Sequence, residues 1–224
     1  MASKLSALGI AAAAILAGCT EEKAEAEPVE VEELVVAQED EGIKLDIKVP
    51  QVEGLEAFNE QAMRLGEQLE EQTRQSEQAV EEGYTDLHAE GKMNFETKFL
   101  DAQTISVLTT GFLYEAGAVN GYTYKEALNY DLQTGSAIEL ADLFDGQGYE
   151  AGLLEAVESE IAASNLEGET LDTLTEIKVT QQFYLTGESL VLVFDQYEIT
   201  SGAQIPPELA IAKNGLENLK EVYK

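Results

Sequence analysis

From Ile43 to Val49 the chain alternates strictly: Ile43, Leu45, Ile47 and Val49 are apolar, and Lys44, Asp46 and Lys48 are charged. A period of two places the two sets on opposite faces of a strand. Leu34-Val35-Val36 precede this run across the charged turn Glu39-Asp40-Glu41-Gly42, so together they predict a β-hairpin, ended by Pro50. The period then changes. Between Glu53 and Glu82, the residues Leu55, Phe58, Ala62, Leu65, Leu69, Gln72, Ser76 and Ala79 step by three and four. That spacing predicts a long helix with one core-facing stripe. Glu60 with Arg64 and Glu70 with Arg74 take the favourable i,i+4 spacing on its wet face.

A meander follows. Met93, Phe95, Thr97 and Phe99 alternate, Asp101-Ala102-Gln103 turns, and Ile105 to Tyr114 runs back. The glycine-containing stretch from Ala116 to Gly121 leads into Tyr122, Tyr124, Leu128 and Tyr130, all of one parity on the next strand, before a turn at Asp131–Gly135. A short helical turn is expected at Glu139–Phe144. A second helix is expected at Tyr149–Asn165, with Leu153, Leu154, Val157 and Ile161 inward. Strands are expected from about Ile177 to Leu185 and from Leu190 to Phe194, with a last apolar run at Leu209–Ala212. Both parities of Leu190–Phe194 are apolar, which marks a central strand. The fold class is therefore α+β, an antiparallel or mixed sheet packed with one long and one shorter helix.

The N-terminus carries a different signal. Lys4 precedes an apolar run from Leu5 to Ala17, a secretory core too short for a membrane-spanning helix of about 18–20 residues. The run closes on Leu16-Ala17-Gly18-Cys19, which resembles the lipobox of bacterial lipoproteins. The resemblance implies cleavage before Cys19 and a lipid on its sulfur. Residues 1–18 are then a lipoprotein signal peptide. Residues 19–33, charged and broken by Pro28, form an acidic disordered tether, and residues 34–224 form one domain. The expected location is the cell envelope: the periplasmic face of the outer membrane where there are two membranes, otherwise the outer face of the cell membrane. Thr20 after the cysteine, where aspartate resembles an inner-membrane retention signal, favours the outer membrane of a two-membrane host. Cys19 is the only cysteine, so no disulfide staples the domain.

Acidic residues number 44 against 13 basic ones, a formal charge of −31. Nucleic acid is excluded as a partner, because no basic patch with interleaved aromatics is available to neutralise phosphates. The same charge would attract a basic protein and speed its encounter, or simply provide a solvated acidic shell.

Catalytic chemistry is sparse. His88 is the sole histidine, so a two-histidine zinc site cannot be built, and a lone histidine in a polar segment is a surface residue. Gly146-Gln147-Gly148 with Ala151 spells a loose dinucleotide fingerprint but follows an Asp-rich turn instead of a strand. Asp142, Asp145 and Glu150 could offer oxygens to calcium, without the spacing of a dedicated loop. No catalytic residue, metal or cofactor is expected. The candidate ligand-binding residues are Tyr114, Gly117, Asn120, Gly121, Tyr122 and Tyr124. Rings beside glycines suit a protein hot spot or sugar stacking, and the alternative is a strand whose aromatics fill the core.

Several segments carry a wider resemblance: Tyr114-Glu-Ala-Gly-Ala-Val-Asn-Gly-Tyr-Thr-Tyr124, Leu128-Asn-Tyr-Asp-Leu-Gln-Thr-Gly135, Leu140-Ala-Asp-Leu-Phe144, Phe183-Tyr-Leu-Thr186, Leu190-Val-Leu-Val-Phe194 and Tyr197-Glu-Ile199. In this order they resemble the extracytoplasmic domain shared by RsiV-type anti-sigma factors and the non-catalytic region of PdaC-type peptidoglycan deacetylases. The resemblance implies a non-enzymatic, lipid-anchored envelope module over residues 34–224. Its ligand would be a basic wall hydrolase of the lysozyme kind, or peptidoglycan. The chain has Val119-Asn120 where many relatives carry a histidine. It also lacks the cytoplasmic and catalytic parts of both families, so sigma-factor signalling does not transfer. A structural or assembly lipoprotein of an envelope complex is the second reading, and a glycan hydrolase with a carboxylate pair the third.

Overall fold

The computed structural model describes residues 29–78, 88–163, 174–199 and 205–224. Cys19, the signal peptide and the tether as far as residue 28 lie outside them. Five strands form one mixed sheet in the order β1-β2-β3-β4-β5: β1 Val31–Glu39, β2 Ile43–Val52, β3 Ala89–Leu100, β4 Thr104–Tyr114 and β5 Tyr122–Asp131. Every neighbouring pair is antiparallel except β2 and β3, which are parallel because helix α1, Glu56–Gln78, crosses over between them. The predicted hairpin is β1–β2, although β1 already begins at Val31, inside the segment expected to be tether. Pro50 does not end β2. It pairs with Glu33 of β1, and β3 flanks β2 only as far as Ile47, so the ladder on that side asks no N–H of Pro50. The strand closes instead at Val52, whose N–H and carbonyl are both held by the Asn59 side-chain amide at 2.8 Å.

The helix lies on the sheet face carrying Ile43, Leu45, Ile47, Val49, Met93, Ile105, Val107 and Leu128, all buried with Phe58, Ala62 and Leu69. Its stripe drifts by one residue toward the C-terminus: Thr73 is fully buried and Gln72 is exposed. A helix of 3.6 residues per turn laid over a twisted sheet rotates its contact line, and the Thr73 hydroxyl is satisfied by donating to the Leu69 carbonyl at 2.7 Å. Glycine lets helix and sheet come very close at this point. A Cβ on Gly91 would sit 2.3 Å from the Thr73 Oγ1, and one on Gly66 would sit 2.8 Å from the Val49 Cγ2.

A second sheet of three antiparallel strands, β6 Gln182–Leu185, β7 Ser189–Val193 and β8 Glu208–Ala212, has β7 at its centre. That position buries β7 on both faces, as its unbroken apolar run predicts. The strand expected from Ile177 starts only at Gln182, because residues 179–180 form a turn closed by Gln181 N–H donating to the Lys178 carbonyl. Helix α2, Tyr149–Ala163, and a short 3-10 turn at Leu140–Leu143 cover this sheet. Leu143, Leu153, Val157, Leu185, Leu190 and Phe194 are the centre of a second core. The chain is thus α+β as expected, with two sheets in place of one.

The two sheets meet edge to face. Among the described residues β6 has a strand neighbour on one side only. Its other edge is satisfied by side chains of the first sheet: Asn129 Nδ2 donates to the Phe183 carbonyl at 2.7 Å, and the Leu185 N–H donates to the Ser106 Oγ at 3.2 Å. Ser106 in turn donates to Asn129 Oδ1 at 2.6 Å. Leu108 packs with Tyr184, Val191 and Val193 beside this polar seam.

Candidate functional site

The β4–β5 connection carries all six candidate residues, and the structure sorts them. Tyr114 ends β4, and its hydroxyl donates to the Ala118 carbonyl at 2.9 Å, so it holds the loop in shape. The Ala116 N–H donates to Ser76 Oγ at 2.8 Å, fixing the loop to the last turns of α1. Gly117 has φ +82°, a conformation that disfavours any residue with a Cβ. A Cβ on Gly121 would lie 2.3 Å from the Phe112 ring, so that glycine admits an aromatic neighbour and offers no contact surface of its own. Val119 and Asn120 form the exposed tip.

Tyr122 and Tyr124 make a surface together. Cross-strand register sets Tyr122 opposite Leu113 and Tyr124 opposite Gly111, on the face away from Tyr114. The Tyr124 ring lies over Gly111, where a Cβ would fall 2.2 Å from it. Tyr122 stacks outside it, the centroids 6.2 Å apart and the planes 21° apart, with 48% of the residue exposed. Two carboxylates flank the pair. Burial and the nearby Asp195 push the Glu126 carboxyl up, and burial with Glu126 and Tyr122 pushes the Tyr124 phenol up to about 12. Burial, Asp195 and Glu126 raise Tyr122 in the same way. Among the described residues no lysine or arginine forms a salt bridge with Glu126 or Asp195. The rim therefore combines a stacked phenol pair with concentrated negative potential.

The neighbouring lysine is spoken for. Lys125 on β5 pairs with Glu208 of β8 and donates to the Pro206 carbonyl at 3.1 Å, and Tyr184 donates to the same Glu208 at 2.5 Å. Burial pushes the Glu208 carboxyl up, but the bonds from Lys125 and Tyr184 outweigh it and hold the group below its usual range.

Glu126 and Asp195 are not among the residues that the sequence pattern picks out. Glu126 shares the parity of Tyr124, so strand spacing could have added it; Asp195 reaches the rim only through the fold. Asp142, Asp145 and Glu150 do not form a calcium site with one another among the described residues. Asp142 accepts the Glu139 N–H at 2.9 Å, and among the described residues no group of three His, Cys, Asp or Glu could hold a metal ion. His88 is exposed, its ring 5.7 Å from that of Tyr114. Among the described residues no helix is long and apolar enough to cross a membrane.

Residues 141–214 match the family model described as "Protein of unknown function (DUF3298)". The chain carries a DUF3298 domain. The matched segment takes in most of the 3-10 turn, α2 and all three strands of the second sheet, so the DUF3298 signature coincides with the second core. The likeness in three dimensions is broader. The crystal structure of a DUF3298 family protein from Pseudomonas aeruginosa PAO1 matches with a TM-score of 0.61 at 16% identity, covering 86% of this chain and 94% of that one. A member of the same family from Bacteroides fragilis NCTC 9343 matches with a TM-score of 0.57 at 15% identity, covering 85% and 93%. At such identities the likeness concerns the fold, over a stretch of chain longer than the segment that the family model matches. No curated protein matches the chain.

Proposed function

We propose that this chain is a lipid-anchored, non-catalytic module of the cell envelope that docks a basic protein of the lysozyme type on the Tyr122–Tyr124 rim. The observation that carries the reading is the stacked tyrosine pair, with Tyr122 half-exposed, beside two carboxylates, Glu126 and Asp195, neither of which forms a salt bridge among the described residues. A lysine or arginine of a partner would relieve the repulsion between those carboxylates while its stem covers the rings. The resemblance to the RsiV and PdaC extracytoplasmic domains supports the choice of a wall hydrolase, and Leu16-Ala17-Gly18-Cys19 supports the anchor. Two membrane-inserted acyl chains, at ~0.8 kcal/mol per buried CH₂, make a stable attachment for a protein whose own surface anionic lipid repels.

Tyr122→Ala tests the docking face. The ring packs outside Tyr124 and little of the fold depends on it, so the variant stays folded. It should lose on the order of 2 kcal/mol in binding to lysozyme, chiefly through faster dissociation. Unchanged affinity would remove the rim from the account.

A further inference from the structure

The five-stranded sheet has two outer edges, and the fold treats them differently. On β5 the edge is closed: the Ala127 N–H donates to Gln182 Oε1 at 2.9 Å, and the Asn129 carbonyl accepts the Ile138 N–H at 2.8 Å. The edge at β1 is open. Among the described residues its strand neighbour is β2 alone, and no loop backbone bonds to its outer side. The Asp40 N–H donates to the Ile43 carbonyl at 2.9 Å, which places the pairs bonded to β2 at even positions. The N–H and C=O groups of Val31, Glu33, Val35, Ala37 and Glu39 therefore point outward. The strand runs for nine residues with no proline, lysine or bulge to blunt it. It also exposes apolar side chains: Leu34 is 43% open to solvent and Val35 49%. Such an edge is a template for another strand.

We propose that two copies of this chain pair through β1, antiparallel and centred on Val35, so that their sheets become continuous. Val31-Glu-Glu-Leu-Val-Val-Ala-Gln-Glu39 is its own complement in that register. Outward-bonding residues meet one another: Val35 faces Val35, Glu33 faces Ala37 and Val31 faces Glu39. On the helix side Leu34 meets Val36 and Glu32 meets Gln38. Both exposed apolar side chains gain cover, and no carboxylate stands opposite another. A parallel, in-register pair would set each glutamate against itself, and a centre at Val36 would set Glu33 against Glu39. The charges already in place suit the pairing. Lys48 and Lys44 lie 3.6 Å from Glu33 and Glu39 within each copy. Arg74 donates to Gln38 Oε1 at 2.8 Å, which brings a cation toward Glu32 of the second copy. The Tyr122–Tyr124 rim lies on β5 at the far edge of the sheet, so the pairing needs nothing of it. The contact is smaller than the roughly 800 Å² per partner of a standard interface, so the dimer is weak, with a Kd of roughly 10–100 μM. A charge of −31 on each copy opposes the approach, and salt therefore strengthens the pairing by screening it.

The test is disulfide trapping in the full chain under a mild oxidant. Val35→Cys puts a thiol on each side of the two-fold axis, where bonded-pair Cα atoms lie about 5.5 Å apart, within disulfide reach. Ala37→Cys, on the same face, meets Glu33 instead and stands about 14 Å from its own copy. Cys19 is present in every variant, so the unaltered chain is the baseline. Val35→Cys should give a covalent dimer of twice the chain mass, at least about tenfold above Ala37→Cys and above the baseline. Mixing Ala37→Cys with Glu33→Cys should restore the dimer. Sedimentation of the unaltered chain in detergent at about 100 μM should show more dimer at about 0.5 M salt than at about 0.05 M. Ala37→Pro, which removes an outward N–H and spares the bonds to β2, should leave a folded monomer. Val35→Glu, which sets two carboxylates across the axis, should do the same. Equal trapping of Val35→Cys and Ala37→Cys, an adduct with a different protein, or an unaltered chain that stays monomeric at about 0.5 mM in high salt would overturn the proposal.

Discussion

Asn129 of the first sheet donates to the Phe183 carbonyl of the second at 2.7 Å, and this bond stands in for the strand that the edge of β6 lacks. An unpaired strand edge inside a protein leaves polar groups with neither water nor a ladder partner. Asn129 and Ser106 supply the partners, so the two cores are joined by a polar seam as well as by packing.

Asn129→Ala should therefore destabilise the protein by about 2–3 kcal/mol, because it strands the Phe183 carbonyl and also removes the acceptor of the Ser106 hydroxyl. Ser106→Ala, which spares the Phe183 bond, should cost less. Urea unfolding of both variants checks the order. The reverse ranking would mean that the seam is held by the hydroxyl.

Gly91→Ala should cost about 1–3 kcal/mol, since the new methyl falls 2.3 Å from Thr73 Oγ1 where helix and sheet meet most closely. Adding Thr73→Ala should recover part of the loss. A double variant whose destabilisation equals the sum of the singles would show that the contact is not the cause.

Glu126 gives a pH signature. Its carboxyl is raised in the folded state by burial and by Asp195, so the folded protein binds its proton more tightly than the unfolded chain does. Between the ordinary value of about 4.3 and the raised one, stability falls as pH increases, and above that window the full cost of the buried charge remains. Glu126→Gln should then raise the melting temperature at neutral pH and lose that advantage near pH 4. Glu208 has the opposite sign. Its carboxyl is lowered in the folded state, so its contribution is present above the ordinary value and is lost as pH falls through the lowered one. An advantage for Glu126→Gln that persisted unchanged at low pH would contradict the assignment to Asp195 and burial.

Much of this architecture was legible in the pattern of residues. The alternation from Ile43 to Val49, the three-and-four stepping from Leu55 to Leu69 and the unbroken run at Leu190–Val193 each report burial directly, and each became the element its period predicts. Register with distant segments was not legible. Nothing local says that Asn129 and Ser106 seal the edge of β6, or that Gln181 is buried beside β5, because these follow from how the two sheets dock. The candidate site divides in the same way. Tyr122 and Tyr124 share a face by strand parity. Tyr114, eight residues earlier, is turned to the opposite face by the hairpin, and Asp195 arrives from a loop after β7.

Cys19→Ala should leave an unprocessed precursor that takes up no lipid label, if the proposed anchor at Leu16-Ala17-Gly18-Cys19 holds. Metabolic labelling with a palmitate analogue and detergent partitioning check this. A variant that still matures and partitions into detergent would show that Cys19 is not the anchor.

The central claim is that a shaped tyrosine rim, and not charge alone, binds a basic partner. Charge steers encounter but is screened beyond roughly 8 Å at physiological salt, whereas the stacked Tyr122–Tyr124 surface acts at contact. The deciding measurement is the association and dissociation kinetics of lysozyme with this chain across a range of salt, beside an equally basic unrelated protein. The predicted result is an association rate that falls with salt and a slow dissociation that persists for lysozyme only. Equal binding of both proteins, vanishing by about 0.3 M salt, would contradict it and leave a chain of charge −31 behaving as a generic polyanion.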